Sequence, residues 1–419
     1  MTAGLFARVE GGITHPTGFR ASGVSAGVKR SMRPDLALLL SDVPCEVGAL
    51  FTTNRVRASP VELCEETLMA NGGRGQAIVV VSGSANALTG PEGRADSEAI
   101  VRATAAQLAI PSSLVLHAAT GVIGSRIPVE RVIQALPDAA ARLDSDRDAS
   151  ARAAAAILTT DTRTKEAAIT ARLSDGRRFR VGGMAKGSGM IAPRLGPPHA
   201  TTLAFLTTDA PLPAEALQSL VTAEGDRTFN MIRIDGDTST NDTLLAMANG
   251  SIGGPSASDD PILRRAVGDV MERLARAIAA DGEGATKLLT VHVTGAADQT
   301  HAREAAKAVA GSMLVKAAVF GADPNVGRIA CAVGYSGADF KPDQLNVSLK
   351  EGARRWPLIV EGAPAPGLAN GSGDRVRSVL RNESEVILEI DLGAGRADAT
   401  AWGCDLSYAY VQINAAYRT

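Results

Sequence analysis

Thr201 is the residue of this chain whose neighbourhood best suits covalent chemistry. A glycine-containing segment, Lys186-Gly-Ser-Gly-Met-Ile-Ala-Pro193, leads to Ala200-Thr201, and an apolar run then extends to Asp209. Scission of the Ala200–Thr201 bond would free the α-amine of Thr201. An α-amine with a pKa near ~7.7–8.0 can take the proton of its own hydroxyl and so activate it as a nucleophile. Taken alone, the segment favours an ordinary glycine loop before a buried strand, because threonine is common in strands.

A second candidate for chemistry is the pair Thr120-Gly121, which lies between a strand-like segment and a glycine-rich turn. A threonine hydroxyl and a backbone N–H at such a turn can point at one place, as in an oxyanion hole. A turn at the end of a strand is the default interpretation of a single Thr-Gly pair. Both interpretations stay open on these residues alone.

Two further motifs match known ligand-binding patterns only in part. The segment Asp235–Asp242 alternates oxygen-bearing side chains, but EF-hand positions six and twelve hold Thr240 and Ala246 instead of glycine and glutamate. We therefore predict a tight turn with local side-chain-to-backbone bonds and no metal site. The segment Arg180–Ala185 matches a loose acetyl-coenzyme A pattern without a strand–loop–helix context, so it has little weight.

The overall composition excludes several classes of protein. The 419 residues are too many for one ordinary core, which predicts two or three domains or two intimately packed halves. The formal net charge of −2 argues against nucleic acid and anionic membranes as partners. Four scattered cysteines suggest reduced thiols, and the apolar runs are too short to span a bilayer. A cytoplasmic protein is expected.

Helical and strand-like patterns interleave along the chain, which predicts an α/β (α+β) fold. A hairpin with a turn at Asp175-Gly176 is expected between Ala168 and Val181, and Asp96 is expected to cap a helix. The proline-rich piece Arg194–His199 is the best candidate break, giving segments 1–200 and 201–419. The predicted strands are Gln76–Ser82, Val115–Ala119, Asn230–Ile234 and Leu288–Val293; the predicted helices are Asp96–Leu108, Pro128–Leu143, Ala149–Leu158, Pro213–Thr222, Ile262–Ala280 and Arg303–Lys316.

Eight segments in matching order resemble the ornithine acetyltransferase (glutamate N-acetyltransferase) family of self-cleaving enzymes. Together these segments run through almost the whole chain. They are Ala119-Thr-Gly-Val-Ile-Gly124, Thr159-Thr-Asp-Thr162, Lys186-Gly-Ser-Gly-Met-Ile191, Ala200-Thr201, Phe229-Asn230 with Asp235–Asp242, Asp281-Gly-Glu-Gly-Ala-Thr-Lys287, Asp323-Pro-Asn325, and Gly403-Cys-Asp-Leu406 with the ending Ile413–Thr419.

The resemblance implies a fold of layered sheets flanked by helices, like that of the N-terminal-nucleophile hydrolases, made of two chains cut from one precursor. It implies that Thr201 is the nucleophile, acetylated during turnover, and that Thr120 and Gly121 stabilise the oxyanion. A ping-pong reaction then moves an acetyl group from N-acetylornithine to glutamate. The positions implied to bind substrate are Thr159, Thr160, Lys186, Thr201, Glu283, Asn414 and Thr419.

For cofactors and partners, the resemblance implies amino-acid substrates, no metal, and a heterotetramer of α and β chains. Acetyl-coenzyme A would be needed only if the protein also had acetylglutamate synthase activity.

The chain departs from the family pattern at four places. Six residues, Arg194–His199, stand where the family usually has two, and Val326, Ala409 and Ser84 replace the usual Trp, Asp and Asn. These departures leave three alternatives open. The first is a paralogue, as in antibiotic pathways, with another acyl donor or acceptor. The second is a hydrolase with the same nucleophile, such as an aminopeptidase or deacylase. The third is an uncleaved binding protein.

Overall fold

Two mixed β-sheets with helices packed between and around them form the protein. The computed structural model describes residues 6–192, 195–196, 202–368 and 372–416, with residues 195, 196 and 372 described through their backbone alone. Layered sheets flanked by helices were predicted, and the α/β class is confirmed. The predicted boundary between residues 200 and 201 lies outside the described residues.

The secondary-structure elements are numbered in chain order. The strands in the described part are β1 (Phe6–Val9), β2 (Phe19–Val24), β3 (Leu36–Thr52), β4 (Arg74–Ser84), β5 (Val115–Val122), β6 (Lys165–Arg172), β7 (Arg178–Lys186), β8 (Leu195–Gly196), β9 (Leu203–Thr208), β10 (Ile232–Arg233), β11 (Thr243–Ala248), β12 (Leu288–Ala296), β13 (Asn346–Glu351), β14 (Arg354–Val360), β15 (Ala363–Pro364), β16 (Glu385–Asp391) and β17 (Ala397–Cys404). The helices there are α1 (Ser59–Asn71), α2 (Gly90–Leu108), α3 (Val129–Ala141), α4 (Arg147–Ala156), α5 (Ala214–Arg227), α6 (Pro261–Ala279), α7 (Gln299–Gly311), α8 (Met313–Phe320), α9 (Val326–Gly334), α10 (Ser372–Asn382) and α11 (Tyr408–Ala415).

The first sheet takes strands from both sides of residue 201. Its order is β1-β6-β7-β9-β11-β3-β4-β5, with β2 and β8 also pairing with β3. Strands β9 and β11 run parallel, and all side chains of both are buried. A chain cut before residue 202 would therefore leave its two pieces joined through the middle of one sheet.

The second sheet has the order β10-β17-β12-β16-β13-β14-β15. Helix α6 lies between this sheet and the first, packing on β6 and β7 on one side and on β10 and β17 on the other. Its apolar residues recur at helical spacing, as predicted for Ile262–Ala280, and Asp260 caps its start by accepting from the N–H of Ile262 at 2.8 Å. The buried apolar face of α6 joins the two sheets into one core.

Three local predictions were wrong for identifiable reasons. The helix expected over Arg303–Lys316 is two helices, because the Ser312 hydroxyl accepts from the N–H of Val315 and caps a new start. Asp96 lies inside α2 and not at its start, and its carboxylate binds Arg126 at 2.7 Å. The strand expected over Asn230–Ile234 is shorter than predicted, because a 3₁₀ turn over Phe229–Met231 takes its start and only β10 is extended. In each case a side-chain bond or a short turn outweighs the local propensity.

No helix in the described ranges combines the length and apolar character needed to cross a membrane.

The buried imidazole of His117 predicts a loss of stability in acid. His117 lies on β5, and burial lowers the pKa of its ring from 6.5 to about 4. Its Nδ1 donates to the carbonyl of Val79 at 3.1 Å, which opposes the lowering of the pKa, but burial outweighs this bond and keeps the ring neutral in the fold. Between pH 6.5 and about 4 the His117 ring binds a proton in the unfolded chain but stays neutral in the folded chain. We expect stability to fall as the pH drops through this window, by about 3 kcal/mol in all from this group.

The matched variant is His117→Gln, which keeps a donor for Val79 and cannot ionise. Melting temperatures measured from pH 7 to pH 4 should fall less steeply for this variant than for the parent protein. If the melting temperatures of the two proteins fell in parallel with pH, the loss of stability in acid would not come from His117.

Candidate active site

Seven residues predicted to act in catalysis or substrate binding line one cavity of about 310 Å³. A cavity of this size suits a small polar metabolite. The seven are Thr120, Gly121, Thr159, Thr160, Lys186, Glu283 and Asn414. They come from the end of β5, the loop after α4, the end of β7, the loop after α6, and α11.

Gly121 is required by the close approach of two strands. Its φ is +136°, and a Cβ there would lie 2.3 Å from the carbonyl carbon of Gly83 on β4. The ladder between β4 and β5 shifts register at this point, which ends regular pairing beside Thr120. Thr120 and Gly121 therefore stand at a strand end whose backbone is turned towards the cavity.

Asn241 fixes the backbone just before Thr120. Its buried amide Nδ2 donates to the carbonyl of Ala119 at 2.9 Å and to that of Ala85 at 2.5 Å. Its Oδ1 accepts from the hydroxyl of Thr240 at 2.6 Å. Asn241 itself lines the cavity. The acid-rich segment Asp235–Asp242 thus holds the end of β5 in place, and it also contains the predicted local bonds, such as that from the N–H of Asp237 to Asp235.

Lys186 carries a positive charge into the cavity at the end of β7. Its Nζ donates to the hydroxyl of Thr159 at 2.7 Å and lies 3.5 Å from the hydroxyl of Thr120. The lysine side chain is only 9% exposed. A buried ammonium of this kind needs a countercharge, and the nearest is Asp161, whose Oδ2 lies 3.8 Å from Nζ.

Asp161, Lys165 and Asp281 form a buried ionic cluster next to Lys186. Lys165 Nζ donates to Asp161 Oδ1 and to Asp281 Oδ2, each at 2.6 Å. Asp161 also accepts from the backbone N–H of Gly187 at 2.7 Å and of Thr159 at 3.1 Å. Burial alone would raise the pKa of Asp161, but the charges of Lys186 and Lys165 outweigh burial and hold that pKa well below its usual range. The cluster therefore keeps Thr159 and the Lys186 loop in fixed positions.

Glu283 places a carboxylate on another wall of the cavity. Its backbone N–H donates to the carbonyl of Ser188 at 3.0 Å, and its Oε2 accepts from Nδ2 of Asn414 at 2.8 Å. A Cβ at Gly189 would lie 2.4 Å from this carboxylate, so a larger residue there would displace the carboxylate from its present position. The cavity thus has a cation at Lys186 and an anion at Glu283.

The remaining predicted residues lie outside the described residues. These are Ala200 and Thr201 of the predicted cleavage site and the end residue Thr419. The six-residue stretch Arg194–His199 is described only through the backbone of β8, which pairs with β3. Thr202 and Leu203, which directly follow Thr201, line the cavity.

Sequence reasoning missed Asp161, Lys165 and Asn241 as parts of this site, and it missed Lys29 as a buried charge near it. Asp161 and Asn241 lie in segments singled out for the resemblance, so their polar character within those segments was the available signal. Lys29 lies against Gly83, behind the Thr120–Gly121 strand end, with its N–H 3.4 Å from where a Cβ of Gly83 would be. Burial, together with repulsion from Lys186, lowers the pKa of Lys29 to about 8. Nothing in the local sequence marked Lys29.

Comparison with known proteins gives matches that cover between 46% and 100% of this chain. The ArgJ family model matches residues 20–419. The arginine biosynthesis bifunctional protein ArgJ of Synechococcus sp. is 43% identical over 427 residues, covering 100% of both chains. That of Symbiobacterium thermophilum is 46% identical over 415 residues, covering 98% of this chain and 99% of its own. Among solved structures, the ornithine acetyltransferase of Mycobacterium tuberculosis complexed with ornithine is 36% identical, with a TM-score of 0.42, over 46% of this chain and 100% of its own.

Proposed function

This chain belongs to the ArgJ family, and we propose that it moves the acetyl group of N-acetylornithine to glutamate through an acetylated Thr201. One observation carries the proposal. Residues separated by almost 300 positions, from Thr120 to Asn414, converge on one cavity that the residues directly after Thr201 also line. The relatives' names, which refer to arginine biosynthesis, support the same substrate class.

The charges of the cavity suit N-acetylornithine. Its α-carboxylate would pair with Lys186, which the two hydroxyl groups of Thr120 and Thr159 already orient. Its side-chain ammonium would pair with Glu283, which Asn414 holds in place. Opposite charges at the two ends of the substrate fix the acetamide between them, which is the positioning that acyl transfer requires. Thr160 and Thr419 are further proposed contacts.

In the first half-reaction, Thr201 Oγ bonds to the acetyl carbon and the carbon–nitrogen bond to ornithine breaks. The hydroxyl proton passes through the α-amine of Thr201 to the departing amine. The carbonyl oxygen becomes negative on the way, and the Thr120 hydroxyl and Gly121 N–H would stabilise it. Since Thr120 Oγ1 lies within reach of Lys186 Nζ as an acceptor, its own O–H is left to donate to the oxyanion.

In the second half-reaction, the amine of glutamate attacks the acetyl-threonine ester and the bond to Oγ breaks. The proton that the amine loses returns to Oγ through the α-amine of Thr201. This cycle uses no metal, nucleotide or coenzyme A. Acetyl-coenzyme A would enter only if the chain also had acetylglutamate synthase activity. We further propose that the two pieces stay paired through the first sheet as α and β chains, and that two such pairs form a heterotetramer.

Acetyl exchange tests the reaction. Purified protein incubated with isotope-labelled N-acetylornithine and glutamate, without coenzyme A, should give labelled N-acetylglutamate and free ornithine in equal amounts. N-acetylglutamate with ornithine should run the reverse exchange, because a ping-pong transfer is reversible.

Two outcomes would contradict the proposal. Loss of acetyl groups to water with no acetylated acceptor would indicate the hydrolase alternative. Exchange with neither amino acid, while another acyl donor or amine is used, would indicate a paralogue with a different substrate.

A further inference from the structure

A second cavity, of about 510 Å³, lies at the β17 side of the second sheet. Its walls come from β12, β13, β16 and β17, from α5 and α6, and from the first turns of α7. Strand β10 pairs with β17 only at residues 402 and 403, and beside the preceding part of β17 the Gln299 side chain of α7 donates to the carbonyl of Asp398 at 2.7 Å. This cavity shares no lining residue with the candidate active site.

Two residues that line this cavity each hold a buried N–H donor that lacks an acceptor among the described residues. These donors are Nε1 of Trp402, whose residue is 3% exposed, and Nε of Arg303. An unsatisfied buried donor destabilises a fold, so two on residues of one cavity are unusual. The other tryptophan of the chain, Trp356, donates its Nε1 to the carboxylate of Glu351 at 2.9 Å. An acceptor oxygen from a ligand would satisfy Trp402 and Arg303 in the same way.

The charges around the cavity indicate what kind of acceptor fits. The basic residues there are Arg227, Arg276, Arg303 and Lys350, and the acidic residues are Glu272, Glu385, Glu389 and Asp398. Several of them neutralise each other, for example Arg276 and Glu385 at 2.9 Å. A balanced lining does not favour a polyanion such as a nucleotide. It favours a small ligand that carries both a carboxylate and a cation.

Two acidic groups are available for the cation of such a ligand. Asp398 makes no ion pair within 4 Å in the part of the chain that the structure describes, and Glu272 has only Arg227 at 4.0 Å. Trp402 and Asp398 lie on β17, Glu272 lies on α6 and Arg303 lies on α7. The residues that hold the two donors and the two carboxylates therefore line the same cavity.

We propose that this second cavity binds a free amino acid, whose carboxylate accepts from Trp402 Nε1 and Arg303 Nε and whose cationic group faces Asp398 or Glu272. The proposal concerns a site separate from the acetyl-transfer cavity and does not depend on that reaction.

Tryptophan fluorescence provides the test, because the chain has only two tryptophans. In the Trp356→Phe variant, Trp402 is the single reporter. We expect a saturable change in its emission on titration with L-arginine or L-glutamate. Agmatine, which is arginine without its carboxylate, should give no saturable change. The Arg303→Lys variant keeps the positive charge and loses the Nε donor, and should bind at least tenfold more weakly.

A matched variant in the other cavity completes the design. Lys186→Met, combined with Trp356→Phe, should leave the Trp402 response unchanged. The proposal is overturned if neither amino acid gives a saturable response at tens of millimolar. It is also overturned if agmatine responds as arginine does, or if Lys186→Met abolishes the response while Arg303→Lys does not. Unchanged melting temperatures of the variants would exclude misfolding as the cause.

Discussion

The Thr201→Ala variant is expected to remain one chain of 419 residues and to lose acetyl exchange by at least ~10³-fold. Alanine has no hydroxyl, so it can neither attack the preceding carbonyl during self-cleavage nor carry the acetyl group during turnover. Denaturing mass spectrometry measures the first effect, and the labelled-acetyl assay measures the second. The parent protein should give two chains whose masses match a break at Ala200–Thr201.

Two variants serve as controls for this result. Thr201→Ser keeps a hydroxyl and an α-amine, so it should still cleave and retain part of the activity. Thr202→Val removes the hydroxyl of a buried neighbour that lines the cavity, and it should still cleave. An intact parent chain would mean that the Arg194–His199 stretch prevents cleavage and that the chain is the uncleaved binding protein. Activity in Thr201→Ala would remove Thr201 from the mechanism.

The Asp161→Asn variant is expected to lose about 3–5 kcal/mol of stability and most of its activity. Asp161 and Lys165 are both fully buried, and Lys165 also binds Asp281. Asparagine removes one negative charge, which leaves Lys165 and Lys186 with Asp281 as the only carboxylate of the cluster. It also brings an NH₂ group towards the N–H donors of Gly187 and Thr159. Melting temperature and kcat/KM for exchange measure the two losses.

A double variant distinguishes charge imbalance from simple loss of packing. Asp161→Asn with Lys165→Met removes one charge of each sign, so the remaining charges of Asp281 and Lys186 balance each other. We expect the double variant to be more stable than Asp161→Asn alone. Asp175→Asn, at an exposed hairpin turn, is the control and should change stability little. Strict additivity of the two single changes would show that the cluster is not coupled.

Much of the fold followed from local patterns. Helix α6 and the β6–β7 hairpin have long apolar or alternating runs with clear ends, and both form where the sequence predicted them. The helix expected over Arg303–Lys316 failed because the capping hydroxyl of Ser312 restarts the helix, and periodicity does not register a single cap. The prediction that Asp96 caps a helix was wrong, because Asp96 instead binds Arg126, which is distant in sequence.

By itself, the sequence determined the family, the α/β class, and the candidate residues Thr120, Gly121, Thr159, Lys186, Glu283, Asn414 and Thr201. It could do so because these residues lie in short segments whose order and composition are specific. Only the tertiary structure brought the described members of this set to one cavity, and it added Asp161, Lys165 and Asn241. The bonds of Lys165 to Asp281 and of Asn241 to Ala119 join positions more than 100 residues apart, and Asp161 binds the N–H of Gly187, which directly follows β7. Local sequence carries no record of such contacts, because they form only when the two sheets and their loops close on each other.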